Sequence, residues 1–168
     1  MPAKDVYPNI VYASVVESAA NTLTFTKIET GYGGLQKTAW IIHRIEWFLG
    51  IGIRSLVIDN SDAIDCALVT SNLISALDLS QAALIDLYEF KTFEKSAVGF
   101  RCFDDPITRN FADLPGGGRI VLPYPLYLAV KGVSLASAVT VKARIFFTER
   151  ELGDADWMEL VQQTRLLT

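Results

Sequence analysis

The chain is 168 residues long, 51% hydrophobic and carries a net charge of −4, with a mean hydropathy of +0.29 and an isoelectric point near 5.0. That length suits one domain, taken as residues 1–168, and buries enough surface to fold without a staple. The acidic balance, with Lys and Arg scattered singly, excludes a dedicated basic nucleic-acid reader, and no apolar run reaches the ~20 residues of a membrane helix.

The N-terminus, MPAKDVYPNI, lacks the apolar core of a signal peptide, so a soluble protein made without a cleaved leader is expected. In NTLTFTKIETG (21–31), Thr22, Thr24 and Thr26 alternate with Leu23 and Phe25, which predicts a strand with threonines to water and Leu23 and Phe25 inward. In KTAWIIHRIEWFLG (37–50), strict alternation puts Ala39, Ile41, His43, Ile45 and Trp47 on one face. Trp40, Ile42, Arg44, Glu46 and Phe48 then share the other, as in a central strand covered on both sides.

Residues 53–72 read as two strands around an Asx-rich turn at 59–62, with Ile64, Cys66 and Leu68 alternating after it. Residues 72–95 read equally as helix or strand: Ser80 suits a helix cap, yet 84–90 also alternates. GFRCFDDPITRNFADLPGGG (99–118) predicts a strand end and a long loop. Pro123 and Pro125 bar a helix from RIVLPYPLYLAVKG, leaving an extended lead-in and a strand at 126–133. The cleanest strand is SAVTVKARIFFTE (137–149). Val139, Val141, Ala143, Ile145 and Phe147 face one way, and Thr140, Lys142, Arg144, Phe146 and Thr148 the other.

The period then changes. Asp154 suits an N-cap, Asp156 lies in the first turn, and Trp157, Leu160, Val161 and Thr164 share one helical face. About seven or eight strands and a terminal helix predict an all-β fold: an antiparallel β-sandwich of jelly-roll type with a short C-terminal helix.

Candidate chemistry is sparse. Gly116, Gly117 and Gly118 lead into a strand rather than a helix, so the loop is a turn permitting positive φ, or a close passage to a neighbouring subunit, rather than a phosphate cradle. His43 is the sole histidine, which excludes a histidine-cluster metal enzyme; a satisfied core or interface residue is expected. Asp59, Asp62 and Asp65 lack the spacing of a calcium loop, though a calcium ion between subunits stays open. Asp104 and Asp105 are adjacent and on a strand would point to opposite faces, a poor acid/base pair. Cys66 and Cys102 are expected as buried free thiols, with one disulfide between them left open. No enzyme activity and no cofactor are expected. The aromatic residues suit packing and subunit contact, and Tyr32, Tyr124, Phe146 and Trp157 are the candidate interface residues.

The stretch GGGRIVLPYPLYLAVKGVSLASAVTVKARIFFTERELGDADWMELVQQ, with the threonine-rich strand before it, resembles small viral coat proteins of the single jelly-roll type. The resemblance implies a structural role: self-assembly into an icosahedral shell, location in the virion, and partnership chiefly with copies of itself. Many such proteins begin with a basic arm. Here residues 1–40 hold only Lys4, Lys27 and Lys37, offset by Asp5, Glu17 and Glu29. Nucleic acid therefore remains a partner only through bases elsewhere. The alternative is a carbohydrate- or receptor-binding β-sandwich module.

Overall fold

The computed structural model describes residues 9–33, 36–49, 62–91 and 106–166, with side chains to 163. Period-two patterning becomes strand in β1 (Asn9–Val16), β2 (Thr24–Lys27), β3 (Thr38–Leu49), β4 (Ala63–Val69), β5 (Leu84–Lys91), β6 (Ile107–Asn110), β7 (Arg119–Val121), β8 (Tyr127–Val133) and β9 (Thr140–Glu151), and the chain continues into α1 (Asp154–Leu166). One antiparallel sheet runs β1-β9-β3-β6, with β7 also on β3; the other runs β2-β8-β4-β5. Side chains from both sheets meet in one main core. The chain is thus an all-β antiparallel sandwich with a short C-terminal helix.

The alternation in β9 is realised: Val139, Val141, Ala143, Ile145 and Phe147 are buried, while Lys142, Arg144 and Phe146 lie on the outer side. Ile64, Cys66 and Leu68 of β4 likewise enter the core, where Cys66 is a buried free thiol. Burial pushes that thiol's pKa well above its ordinary value.

Several expectations change. In β3 the register shifts between Ile42 and Arg44, because Ile42 pairs with Phe147 and Arg44 with the adjacent Phe146. His43 is the surplus residue of a β-bulge. The bulge resets the pleat, so Trp40, Ile42, Ile45, Trp47 and Leu49 all enter the core. Trp40 and Trp47 do not lie on opposite faces. Trp40 stacks on Phe147 with ring centroids 3.7 Å apart.

Leu23 and Phe25 do pack, but against a smaller cluster of Ala67, Val69 and Ala129. Thr24 and Thr26 pair with Val130 and Leu128, and so share their face of the sheet. The reason is that the four-stranded sheet carries apolar residues on both sides, with Ile74 and Leu77 helping to cover the second. β1 has no counterpart in the expected elements, and β6 replaces part of the expected loop. Residues 84–91 are strand; Ser80 donates from its N–H and hydroxyl to Asp78 in a turn and caps no helix. At α1 the Trp157 N–H donates to the Gly153 carbonyl at 2.9 Å. Asp154 is therefore the first helical residue, ion-paired with Lys37, rather than the cap. Trp157, Leu160 and Val161 are half-buried. The expected strand at 53–58 and turn positions 59–61, Cys102, Asp104, Asp105 and the first eight residues lie outside the described residues.

Candidate functional site: the outer face of the five-stranded sheet

β9 has a partner on each side, and antiparallel register places directly opposed side chains on the same face. Its outward residues therefore head three transverse rows. Ser14, Lys142 and Phe48 form the first; Tyr12, Arg144 and Glu46 the second; Ile10, Phe146 and Arg44 the third. In the second row the Arg144 guanidinium lies 4.8 Å from the Phe48 ring centre and 5.7 Å from that of Tyr12. In the third, the Arg44 guanidinium sits 4.0 Å over Phe146. Glu46 ties the two arginines together, at 3.3 Å from Arg44 and 3.6 Å from Arg144.

The arrangement orders flat cations on flat rings, where each ring's negative face attracts the charge. Three cations and one anion make this array net positive on a chain of net −4. An open groove of about 440 Å³ crosses it, lined by Tyr12, Ser14, Phe48, Lys142 and Arg144 among others. Tyr12 is 70% exposed, with Ile10 and Val16 also in water.

The glycine loop lies on the same sheet. β6 and β7 run in one direction along β3, pairing with Arg44–Trp47 and Trp40–Ile42 respectively. They are one strand position interrupted by residues 111–118, level with the His43 bulge. His43 clamps the excursion: its Nδ1 lies 2.7 Å from the Gly117 carbonyl, and its own carbonyl accepts from the Phe111 N–H at 2.7 Å. A carbonyl can only accept, so Nδ1 carries the proton and, in the neutral ring, Nε2 accepts from the Thr148 hydroxyl at 2.9 Å. Both ring nitrogens are satisfied, as expected of a structural histidine. Gly116 and Gly117 have φ of 92° and 77°, so the loop is the expected positive-φ turn. At Gly118 a Cβ would meet the Ile42 carbonyl oxygen at 2.6 Å, so the loop's return is built on backbone-to-backbone contact.

Two buried carboxylates escaped the sequence reading. Glu17 accepts from the N–H groups of Thr22 at 2.9 Å, Gly132 at 2.6 Å and Val139 at 3.2 Å, tying the end of β1 to β8 and the start of β9. Asp86 of β5 accepts from the Trp47 indole N–H at 3.0 Å and the Arg109 Nε at 3.3 Å, and so joins the two sheets. Burial pushes the Asp86 pKa up, against the pull of the Trp47 hydrogen bond and the Arg109 charge. Both carboxylates are committed to holding the sandwich. Neither belongs to a motif, and single acids in a sequence carry no burial signal.

Of the candidate interface residues, Phe146 joins the array. Tyr32 packs edge-on against Trp40 at 6.0 Å, and burial followed by the neighbouring Glu149 pushes its hydroxyl pKa up to about 12. Tyr124 is 39% exposed, with the Lys27 ammonium 4.4 Å from its ring centre. Trp157 lies on α1. Tyr12, Ile10 and Phe48 were missed as surface residues. In NIVYASVV both alternating sets are largely apolar, so the pattern does not say which side faces water. No helix among the described residues is long and apolar enough to cross a membrane. Compared with known proteins, the chain matches no family model and no curated protein.

Proposed function

We propose that the protein is the subunit of a self-assembling, non-catalytic shell, a viral coat protein of jelly-roll type. The observation that carries this reading is the strand order. With β6 and β7 counted as one interrupted strand, successive described strands lie in opposite sheets except β4 and β5, which share one. That order supports a double Greek-key winding of the kind found in jelly rolls, which serve in viral capsids, lectin domains and cupins. A fold alone does not select among these. The cupin branch needs a histidine cluster, and this chain has one histidine. The exposed Ile10, Tyr12, Val16, Leu73 and Leu79 suit contact with further protein. In such a shell, the net-positive array on the outer face of the five-stranded sheet is where a nucleic-acid cargo would meet the wall.

A second reading, a carbohydrate- or receptor-binding module, is favoured by the groove between Tyr12, Phe48 and Arg144. Light scattering on a sizing column, with negative-stain microscopy of the leading peak, separates the two. Closed particles of uniform diameter support the shell. A monomer or small ring unchanged by salt and concentration refutes it and turns attention to glycan screening on the groove.

A further inference from the structure

Among the described residues the sandwich has four outer strand positions, and three are blunted. β2 has four residues and carries Lys27; β5 carries Asp86, Glu89 and Lys91; β6 and β7 are short and carry Arg109 and Arg119. Short length and charge are the usual devices that keep an edge from pairing. β1 has none of them. NIVYASVV is eight residues long, without charge, proline or glycine. Its pairing with β9 runs without a register break from Asn9 to Val16.

The direction of its free backbone groups follows from one bond. The Glu17 N–H donates to the Val139 carbonyl at 2.9 Å, toward β9. Backbone groups alternate sides along a strand, so residues 9, 11, 13 and 15 also address β9. Ile10, Tyr12, Ser14 and Val16 then turn both N–H and C=O to the open edge. Their side chains lie on the outer face, where Ile10, Tyr12 and Val16 are 45%, 70% and 59% exposed.

We propose that this edge is an interface between two copies of the chain, in which β1 pairs antiparallel with β1 of the second copy across a two-fold axis. Such an axis requires a self-complementary strand. One register engages all four edge-facing residues: Ile10 opposite Val16 of the second copy, and Tyr12 opposite its Ser14. Each opposed pair exchanges both backbone bonds, about eight in all. Apolar residues meet at the two ends, Tyr and Ser meet in the middle, and no charge opposes a like charge. The five-stranded sheets then run on as one across both subunits, and the two arginine–aromatic faces become continuous. The proposal deepens the shell reading by naming a contact, and rests on that reading only for the closed particle.

Two variants test it by mass and microscopy. Ser14→Pro removes an N–H that points to the open edge and spares the bonds to β9, as proline on an edge strand permits. Tyr12→Lys changes a well-exposed side chain and sets two like charges near the axis. Wild type is expected to form dimers or larger species built from them, and either variant to weaken the dimer at least tenfold while keeping its folded spectrum. Wild-type dimers without closed particles, lost in Tyr12→Lys, sustain the pairing and defeat the shell. Particles or dimers that survive both variants unchanged overturn the pairing and leave the shell reading standing. A wild type that stays monomeric at 100-fold the concentration used for the variants overturns both.

Discussion

Glu17→Ala would remove the side chain that binds the β1–β2 turn, β8 and the start of β9 to one another. Its carboxylate receives three backbone N–H groups, and those of Gly132 and Val139 are buried. A buried donor left without an acceptor costs ~1–3 kcal/mol, and bonds to a charged acceptor are at the strong end of that scale. Two fully buried donors and one half-buried donor give an expected loss of about 4 kcal/mol, a large part of the ~5–15 kcal/mol that holds a domain folded. Glu17→Gln keeps Oε1, which serves Thr22 and Gly132, but turns an amide N–H₂ toward the Val139 N–H. Its expected cost is smaller, about 1–2 kcal/mol. The measurement is urea unfolding followed by tryptophan fluorescence, since Trp40 and Trp47 are fully buried reporters. Under dissociating conditions the midpoint should fall in the order wild type, Gln, Ala at nearly constant slope. A loss below about 1 kcal/mol for alanine, or equal losses for the two variants, would refute the clasp.

Gly118→Ala brings a Cβ to 2.6 Å of the Ile42 carbonyl oxygen, a backbone atom that cannot swing aside. A cost of ~2 kcal/mol or more is expected in the same unfolding assay, against a small effect of alanine at exposed Ser137. His43→Ala frees the 111–118 excursion by removing contacts to Gly117 and Thr148. It should cost about 1–2 kcal/mol, with faster amide exchange confined to residues 111–118. Burial, then the Glu89 charge, raises the Asp65 pKa from 3.8 to about 6, against Lys91 and Lys131. Between pH 3.8 and 6 the folded chain holds a proton that the unfolded chain has released, so stability falls as pH rises through that window and levels off above it. The side chain is half in water, so screening reduces the effect to about 1 kcal/mol. Asp65→Asn should gain that amount at pH 7 and nothing at pH 3, and a gain independent of pH would refute the assignment.

The sandwich was legible wherever one alternating set is apolar and the other polar, as in 139–148. Legibility ended where alternation is interrupted or lacks contrast. The His43 bulge leaves no local mark, because histidine between apolar neighbours reads as one more strand residue. β1 offers apolar residues on both sides, so neither its burial nor its edge position can be read from composition. The arginine–aromatic array draws on β1, β3 and β9, up to 136 positions apart from Ile10 to Phe146. Lys and Arg that look scattered along the chain converge only through cross-strand register. The carboxylates of Glu17 and Asp86 acquire their roles from partners 115 and 39 positions away.

The surplus residue in β3 has a meaning for lineage and engineering. Without His43 the order Trp40, Ile42, Ile45, Trp47, Leu49 is an unbroken alternation, so the strand reads as a regular one into which a residue has been inserted. The insertion falls where the neighbouring strand position also departs from the sheet and returns. Both ends of that departure are fastened to β3, on either side of the inserted residue. Chain can therefore be added or removed at its Gly116–Gly117 tip without changing the phase of any core side chain, which makes this tip the natural place to display a foreign peptide on the molecule.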